Sequence, residues 1–524
     1  MLKENMRTRT CNFRGKILSL LALTLILISF SGTGFGQTIP DAGLQLFGLI
    51  GIPNWTTSGA KVATYDTNSL NPVTGVWYIA DGVNNGITAI DTKTLSYIGT
   101  IQMPGCCTVP AINASGVQMA PDLQKLIGTD RNTGIHIWDL RVPGAGPVAN
   151  FTGNFGVDEI DYDPINQRAY VGTATAFGAP PPPAGTVFGL DVIDMANNKF
   201  LGFIQTPDEV DKPRFNPVDG RIYADIPGVN KMMIIDPQQG AFGAIVGSYT
   251  LPNGCSNGVD IDPVTNNAVL VCAGGLHTII NLQSGSTVYT SPIGGGDVAE
   301  GNPHTRRMYI ATNQTALPAG VTLTGNCPKA STGAISAILV YSATNATNPL
   351  VGATCTGARS GHAVNGVDAF HNYVFVPVPQ YPADPNNANT GSPGILVFRD
   401  PAPTASIQSA GAEEADVRAV LSPVGGSGVS GTIDITLRRR NMSLDGGLTG
   451  LPPGSTNVRV IVETTIGHES VSCGVSPTGQ GYCDGYLIGD PLVGAPMNVS
   501  SGGQRVASGT LTLVSSFLTY IPID

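Results

Sequence analysis

Five turns of one kind, Asn71-Pro72, Asp163-Pro164, Asn216-Pro217, Asp262-Pro263 and Asn302-Pro303, allow the chain to be aligned on itself, with Ala120-Pro121 and Phe370-His371 as degenerate versions. In that alignment one small polar or acidic residue recurs at the same place: Asp66, Ser115, Asp158, Asp211, Asn257, Asp297 and Asn365. Three residues later an acid returns at Asp161, Asp260, Glu300 and Asp368, while Arg214 breaks the rule. If the fold gathers these groups, like carboxylates will raise one another's pKa unless a cation or hydrogen-bond donors intervene. Oxygen-only ligands suit a hard ion such as calcium better than zinc. A second reading stays open, because an Asp or Asn in each repeat also bonds the backbone of its adjoining loop.

Other candidates are sparse. His362, three residues before Asn365, is the one histidine placed near the acidic positions, as a candidate base or a rim residue. His136 and His277 fall in apolar runs, His304 and His371 in turns, and His468 far downstream. No HExxH, CxxC or P-loop pattern occurs. Gly426-Ser-Gly-Val-Ser-Gly fits GxGxxG only through local composition, since it joins β segments with no helix to hold a pyrophosphate. Cys255 and Cys272 flank a two-strand pattern and should face each other across a hairpin; Cys473 with Cys483 brackets a turn in the same manner, and Cys327 with Cys355 is the remaining spaced pair. Cys106 and Cys107 form a vicinal pair, either buried thiols or a strained ring on one reading, a redox or ligand-touching group on the other.

The elements that must position these groups are short strands in a repeat of about 40 to 50 residues, the period of propellers and solenoids. One unit runs Val157-Asp-Glu-Ile-Asp-Tyr-Asp-Pro, Arg168-Ala-Tyr-Val-Gly, Gly189-Leu-Asp-Val-Ile-Asp and Lys199-Phe-Leu-Gly-Phe-Ile-Gln. The third strand recurs as Ile87-Thr-Ala-Ile-Asp, Ile135-His-Ile-Trp-Asp, Met232-Met-Ile-Ile-Asp, His277-Thr-Ile-Ile-Asn, Ala337-Ile-Leu-Val-Tyr and Ile395-Leu-Val-Phe-Arg. Nearly continuous apolar runs suit strands buried on both faces, as in sheets stacked radially. Seven units predict an all-β fold: a seven-bladed β-propeller of four-stranded blades over 43–401, the recurring residues ringing one mouth of its channel. The segment 44–53 matches the fourth-strand pattern and is expected to close the last blade, with Ala405-Ser-Ile-Gln-Ser as the alternative.

Val76-Trp-Tyr-Ile-Ala followed by Gly86-Ile-Thr-Ala-Ile-Asp-Thr-Lys-Thr-Leu-Ser-Tyr-Ile-Gly resembles the YVTN-type propeller repeat of YncE-like secreted proteins. That family mostly lacks a defined activity, so the resemblance speaks for fold and little for function. Large insertions in the third, sixth and seventh units depart from it, including Pro180-Pro-Pro-Pro and 315–333. The leading expectation is a binding or interaction protein with no evident catalytic set, holding a small ligand, glycan or protein at the channel mouth. Resemblance to calcium-dependent propeller lactonases gives the alternative, a lactone or ester hydrolase with Asp158, Asp211, Asn257 and Asp297 as ligands and His362 as base. A weaker one is a quinoprotein-like dehydrogenase using Cys106-Cys107, against which the missing Trp-docking repeats count.

The ends set the compartment. Lys3, Arg7, Arg9, Arg14 and Lys16 precede an apolar run over 17–30, and Gly34 and Gly36 follow, the layout of a secretory signal peptide over 1–36. The run is short for a bilayer span and no second one follows, so a secreted, periplasmic or extracellular protein is expected, without a membrane anchor. Loss of that segment would leave 22 basic against 36 acidic residues, a net charge of −14 in place of −10. Such acidity argues against nucleic acid as a partner. From 411 to 524 the repeat gives way to Gly/Ser-separated strand patterns such as Val417-Arg-Ala-Val-Leu and Val458-Arg-Val-Ile-Val-Glu-Thr, expected to form a small β-sandwich. Its Arg438-Arg-Arg cluster is read as a solvated strand end, or else a contact for an anionic polymer.

Overall fold

The computed structural model describes residues 37–56, 65–104, 114–130, 134–175, 184–255, 257–312, 316–324, 327, 335–356, 366–369, 371–381, 391–402, 412–438 and 441–518. Seven four-stranded antiparallel sheets form the blades of a propeller. Their innermost strands are Tyr65–Asn71, Ala114–Ala120, Val157–Asp163, Pro213–Asn216, Gly258–Asp262, Ala299–Asn302 and Gly366–Asp368. These strands touch in turn around the channel, the seventh meeting the first.

Local chemistry explains the repetition. In four blades the Asx residue ending the inner strand accepts a backbone hydrogen bond from two residues on: from Val73 to Asn71, Ile165 to Asp163, Val218 to Asn216 and His304 to Asn302; Asp262 accepts from Thr265, three residues on. Each turn then closes through a residue at positive φ, for instance Gly75, Gln167, Asn266 and Asn372. Blade 7 departs from the Phe370-His371 alignment: Asp368 takes the Asx position, its Oδ1 facing the His371 N–H at 3.4 Å. The acid at the end of the third strand repeats the device, with Asp91, Asp139 and Asp236 each accepting from the backbone two residues later.

Apolar seams fill the spaces between blades. Ile127, Ile135 and Ile137 of blade 2 meet Ile160, Tyr162 and Val171 of blade 3. At the junction of blades 7 and 1, Trp77 stacks on Phe375 with ring centroids 4.8 Å apart. Gln45–Ile50 pairs antiparallel with Ser392–Arg399 and is the fourth strand of blade 7, so both ends of the propeller meet in one sheet. Residues 1–36 and Ala405 to Ser409 lie outside the described residues.

The C-terminal region is one antiparallel sheet. Eight strands, Ala412–Pro423, Ser430–Arg438, Asn441–Thr449, Gly481–Leu487, Gly467–Val475, Val458–Thr464, Pro496–Ser501 and Gln504–Thr510, pair in that order and return to the first. The result is barrel-like, its two walls joined by hydrogen bonds at both edges, and Thr512–Leu518 extends along the first strand. Alternating residues such as Val417, Ala419 and Leu421, and Val458, Val460 and Val462, fill its core.

The barrel seats on the turns of the propeller. In Val458–Thr464, Arg459 and Ile461 point away from the barrel core: Ile461 joins the seam of blades 3 and 4, and Arg459 meets Asp122 at 2.6 Å and the Pro164 carbonyl at 2.9 Å. Asn498 bonds the Pro217 carbonyl, Ser500 the Ile165 carbonyl and Arg505 the Val218 carbonyl. Among the described residues three disulfides, Cys255–Cys272, Cys327–Cys355 and Cys473–Cys483, suit an oxidising, extracytoplasmic compartment. Among the described residues, no helix is long and apolar enough to cross a membrane.

Candidate functional site

The inner strands begin at the mouth of the channel remote from the barrel, because they end in the turns on which the barrel sits. Asp66, Ser115 and Asp158 share one position there, inside the β-bulges between Tyr65 and Asn68, Ala114 and Val117, and Val157 and Ile160. Asp211 and Asn257 stand just ahead of their inner strands, each donating a backbone hydrogen bond to the second strand, and Asp297 also precedes its strand. Asn365 and His362 lie outside the described residues, as do Cys106 and Cys107.

These equivalent positions do unlike work. The Ser115 hydroxyl reaches the Val157 carbonyl at 3.1 Å and Thr129 at 3.2 Å, so it ties blade 2 to blade 3. Asp211 is close to other acids: burial above all, then the charges of Glu159, Asp297, Asp158 and Asp225, push its carboxyl well above the usual range. Glu159 is raised by burial too, with Lys212 opposing and Asp66, Asp297 and Asp158 adding to the rise. Asp225, fully buried, is raised by burial against the charge of Lys212. Neither carboxyl oxygen of Asp225 has a hydrogen-bond partner among the described residues, nor has Oδ2 of Asp211.

Two cations from blade 4 occupy the channel below this ring. Lys212 Nζ lies 3.1 Å from Glu300 and 4.0 Å from Glu159. Arg214, two residues on and so on the same face of its strand, lies 3.2 Å from Asp260, 3.6 Å from Glu300 and 3.9 Å from Asp161. Burial opposes the guanidinium charge, but Asp260, Glu300 and Asp161 hold it more firmly protonated than usual. Burial lifts Asp260 to about 6, Arg214 limiting the rise. Three of the four second acids, Asp161, Asp260 and Glu300, therefore meet the arginine that breaks the pattern, while Asp368 bonds His371 instead.

Among the described residues, no group of three or more carboxylate, His or Cys side chains is arranged to hold an ion. Glu159 and Glu300 instead face the Lys212 ammonium.

An apolar-walled space lies at the other end. A cavity of about 240 Å³ begins at Asp161, Arg214, Asp260 and Glu300 and runs to the barrel hairpin Thr464, Ile466 and His468. Met119, Tyr162, Phe215, Met308 and Val367 form its sides. His468 closes one edge, bonded to Glu463 at 2.7 Å and set edge-on to Phe215. Burial works against its charge, but Glu463, with Asp161 and Asp163, raises its pKa above the ordinary histidine value. Arg306 is held by Asp262 at 2.7 Å and 3.1 Å, and Arg307 by Asp400 at 2.8 Å.

The sequence missed Lys212, Glu159, Asp225 and His468. Lys212 and Arg214 carried a legible sign, two cations at alternate positions of a strand expected to be innermost. His468 had none, since nothing local says that its hairpin enters the channel. The sequence matches no protein-family model and no curated protein.

Proposed function

We propose that this is an extracytoplasmic binding protein of the YVTN, YncE-like kind, which holds a small amine-bearing ligand in the channel cavity beneath its barrel. One observation carries the reading: an apolar-sided cavity of about 240 Å³ ends in more carboxylates than cations. Among the described residues, the ion pairs of Asp161, Asp260, Glu300 and Glu159 are with Arg214 and Lys212. Even with Glu159 protonated, three carboxylates face two cations. A ligand with an apolar body and an ammonium group would offset the excess and cover Phe215, Tyr162 and Ile466. The signal-like segment 1–36 and three disulfides support export.

The test is native mass spectrometry of the mature protein with matched small aromatic amines, carboxylic acids and alcohols. The amines should be retained, Asp260→Asn should weaken them about tenfold or more, and Ile466→Trp should abolish binding by filling the cavity. Preference for the acids, or retention of amines by Ile466→Trp, would overturn the reading.

A further inference from the structure

The outer wall of the barrel carries a surface that the channel does not use. On Gly481–Leu487, the inward positions Cys483 and Leu487 are buried, while Tyr482 is 60% and Tyr486 79% exposed. Four residues of strand separate the two rings by roughly 13 Å along one face. Tyr482 is flanked by glycine on both neighbouring strands, opposite Gly447 on one side and Gly474 on the other. A Cβ at Gly447 would meet nothing within 4 Å, so the floor beside the ring is clear.

Between the tyrosines runs a row of acids. Asp434 is directly opposite Asp445, and Asp445 directly opposite Asp484, across three adjacent strands. Like charges directly opposed destabilise a sheet, so this row has a cost in the folded protein. Arg418 pairs with Asp434 at 2.6 Å and 3.2 Å at one end of the row. Ser443 and Thr436 continue the same polar face. The core of a protein interface is depleted in charge. This face instead offers two flat aromatic platforms with hydrogen-bond acceptors between them.

We infer that this face docks an extended, uncharged polysaccharide. Sugar C–H groups would seat on the negative faces of Tyr482 and Tyr486, and their hydroxyls would donate to Asp445 and Asp484. The carboxylate row repels polyanions, and acceptors set between two exposed rings suit a donor-rich neutral chain that both stacks and donates. The site is separate from the channel cavity and independent of the ligand there.

The experiment is affinity electrophoresis of the full mature chain in gels containing soluble neutral β-glucan, xylan, mannan or starch, with polygalacturonate as the anionic comparison, at low and high salt. At least one neutral polymer should retard the protein with little dependence on salt. Tyr482→Ala with Tyr486→Ala should cut the affinity tenfold or more, while Tyr482→Phe with Tyr486→Phe should keep most of it. Both pairs sit at exposed positions, and unchanged urea unfolding confirms their folding. Failure of every neutral polymer, preference for polygalacturonate, indifference to the double alanine variant, or retardation that vanishes in salt as for a basic partner would each overturn the inference. Tyrosine-dependent self-association in sedimentation, without retardation, would likewise replace it by an interface between copies.

Discussion

Replacing Arg214 by Met would remove the one guanidinium that faces Asp161, Asp260 and Glu300 at 3.9, 3.2 and 3.6 Å. With the arginine side chain only 16% exposed, solvent cannot compensate, and breaking a buried ion pair on one side costs about 3–5 kcal/mol. The loss should depend on pH. Asp260 stands at about 6 with Arg214 present, above its value of 3.8 when unperturbed. An acid with a raised folded pKa binds its proton more tightly when native. Its ionised form is thus a cost above pH 6 that disappears as pH falls toward 4. Two units correspond to about 3 kcal/mol. Without Arg214 the rise is larger, so protonation recovers more in the variant than in the parent. Urea unfolding followed by tryptophan fluorescence should give Arg214→Met a deficit of about 3–5 kcal/mol at pH 7.5 and less than half of that at pH 5. Equal deficits at both pH values, or none at pH 7.5, would refute the view that Arg214 compensates the channel acids.

Arg459→Ala should weaken barrel docking by about 3–5 kcal/mol, since it leaves Asp122 buried without its cation, and limited proteolysis should then cut between the two domains first. Replacing Cys255 and Cys272 together by serine should lower stability by about 3 kcal/mol in urea for a crosslink that spans 17 residues, while the blade itself persists by circular dichroism. Millimolar calcium should move the thermal midpoint by less than about 1 °C, because Lys212 already faces Glu159 and Glu300; a larger shift that Asp158→Asn abolishes would contradict this. Trp77→Ala should cost about 3–5 kcal/mol by opening the seam where blade 7 meets blade 1, measured by urea unfolding with far-UV detection.

The propeller was legible because its information is local. Each Asx turn, such as Asn71-Pro72 or Asp163-Pro164, names its own hairpin, and each apolar third strand names a sheet buried on both faces. The barrel was only half legible. Val458–Thr464 is buried throughout, because one face fills the barrel and the other, with Arg459 and Ile461, covers the propeller. Asn441–Thr449 and Gly467–Val475 gave no strand signal, being diluted by Gly446, Gly447 and Gly474. The site was legible by position and not by role. Alignment identified Asp161, Asp260 and Glu300 as equivalents and Arg214 as the exception, but that one cation serves all three depends on the closure of the ring. The barrel hairpin that roofs the cavity comes from more than 160 residues beyond Glu300, a distance no repeat pattern spans.

Whether the channel end beneath the barrel binds an amine is decided by a crystal structure of the protein soaked with tyramine. Density is expected between Phe215, Tyr162 and Ile466, with the ammonium within hydrogen-bond distance of Asp260 or Glu300. An empty cavity in crystals that bind tyramine elsewhere, above all at the Asp66, Asp158, Asp211 and Asp297 mouth, would contradict it.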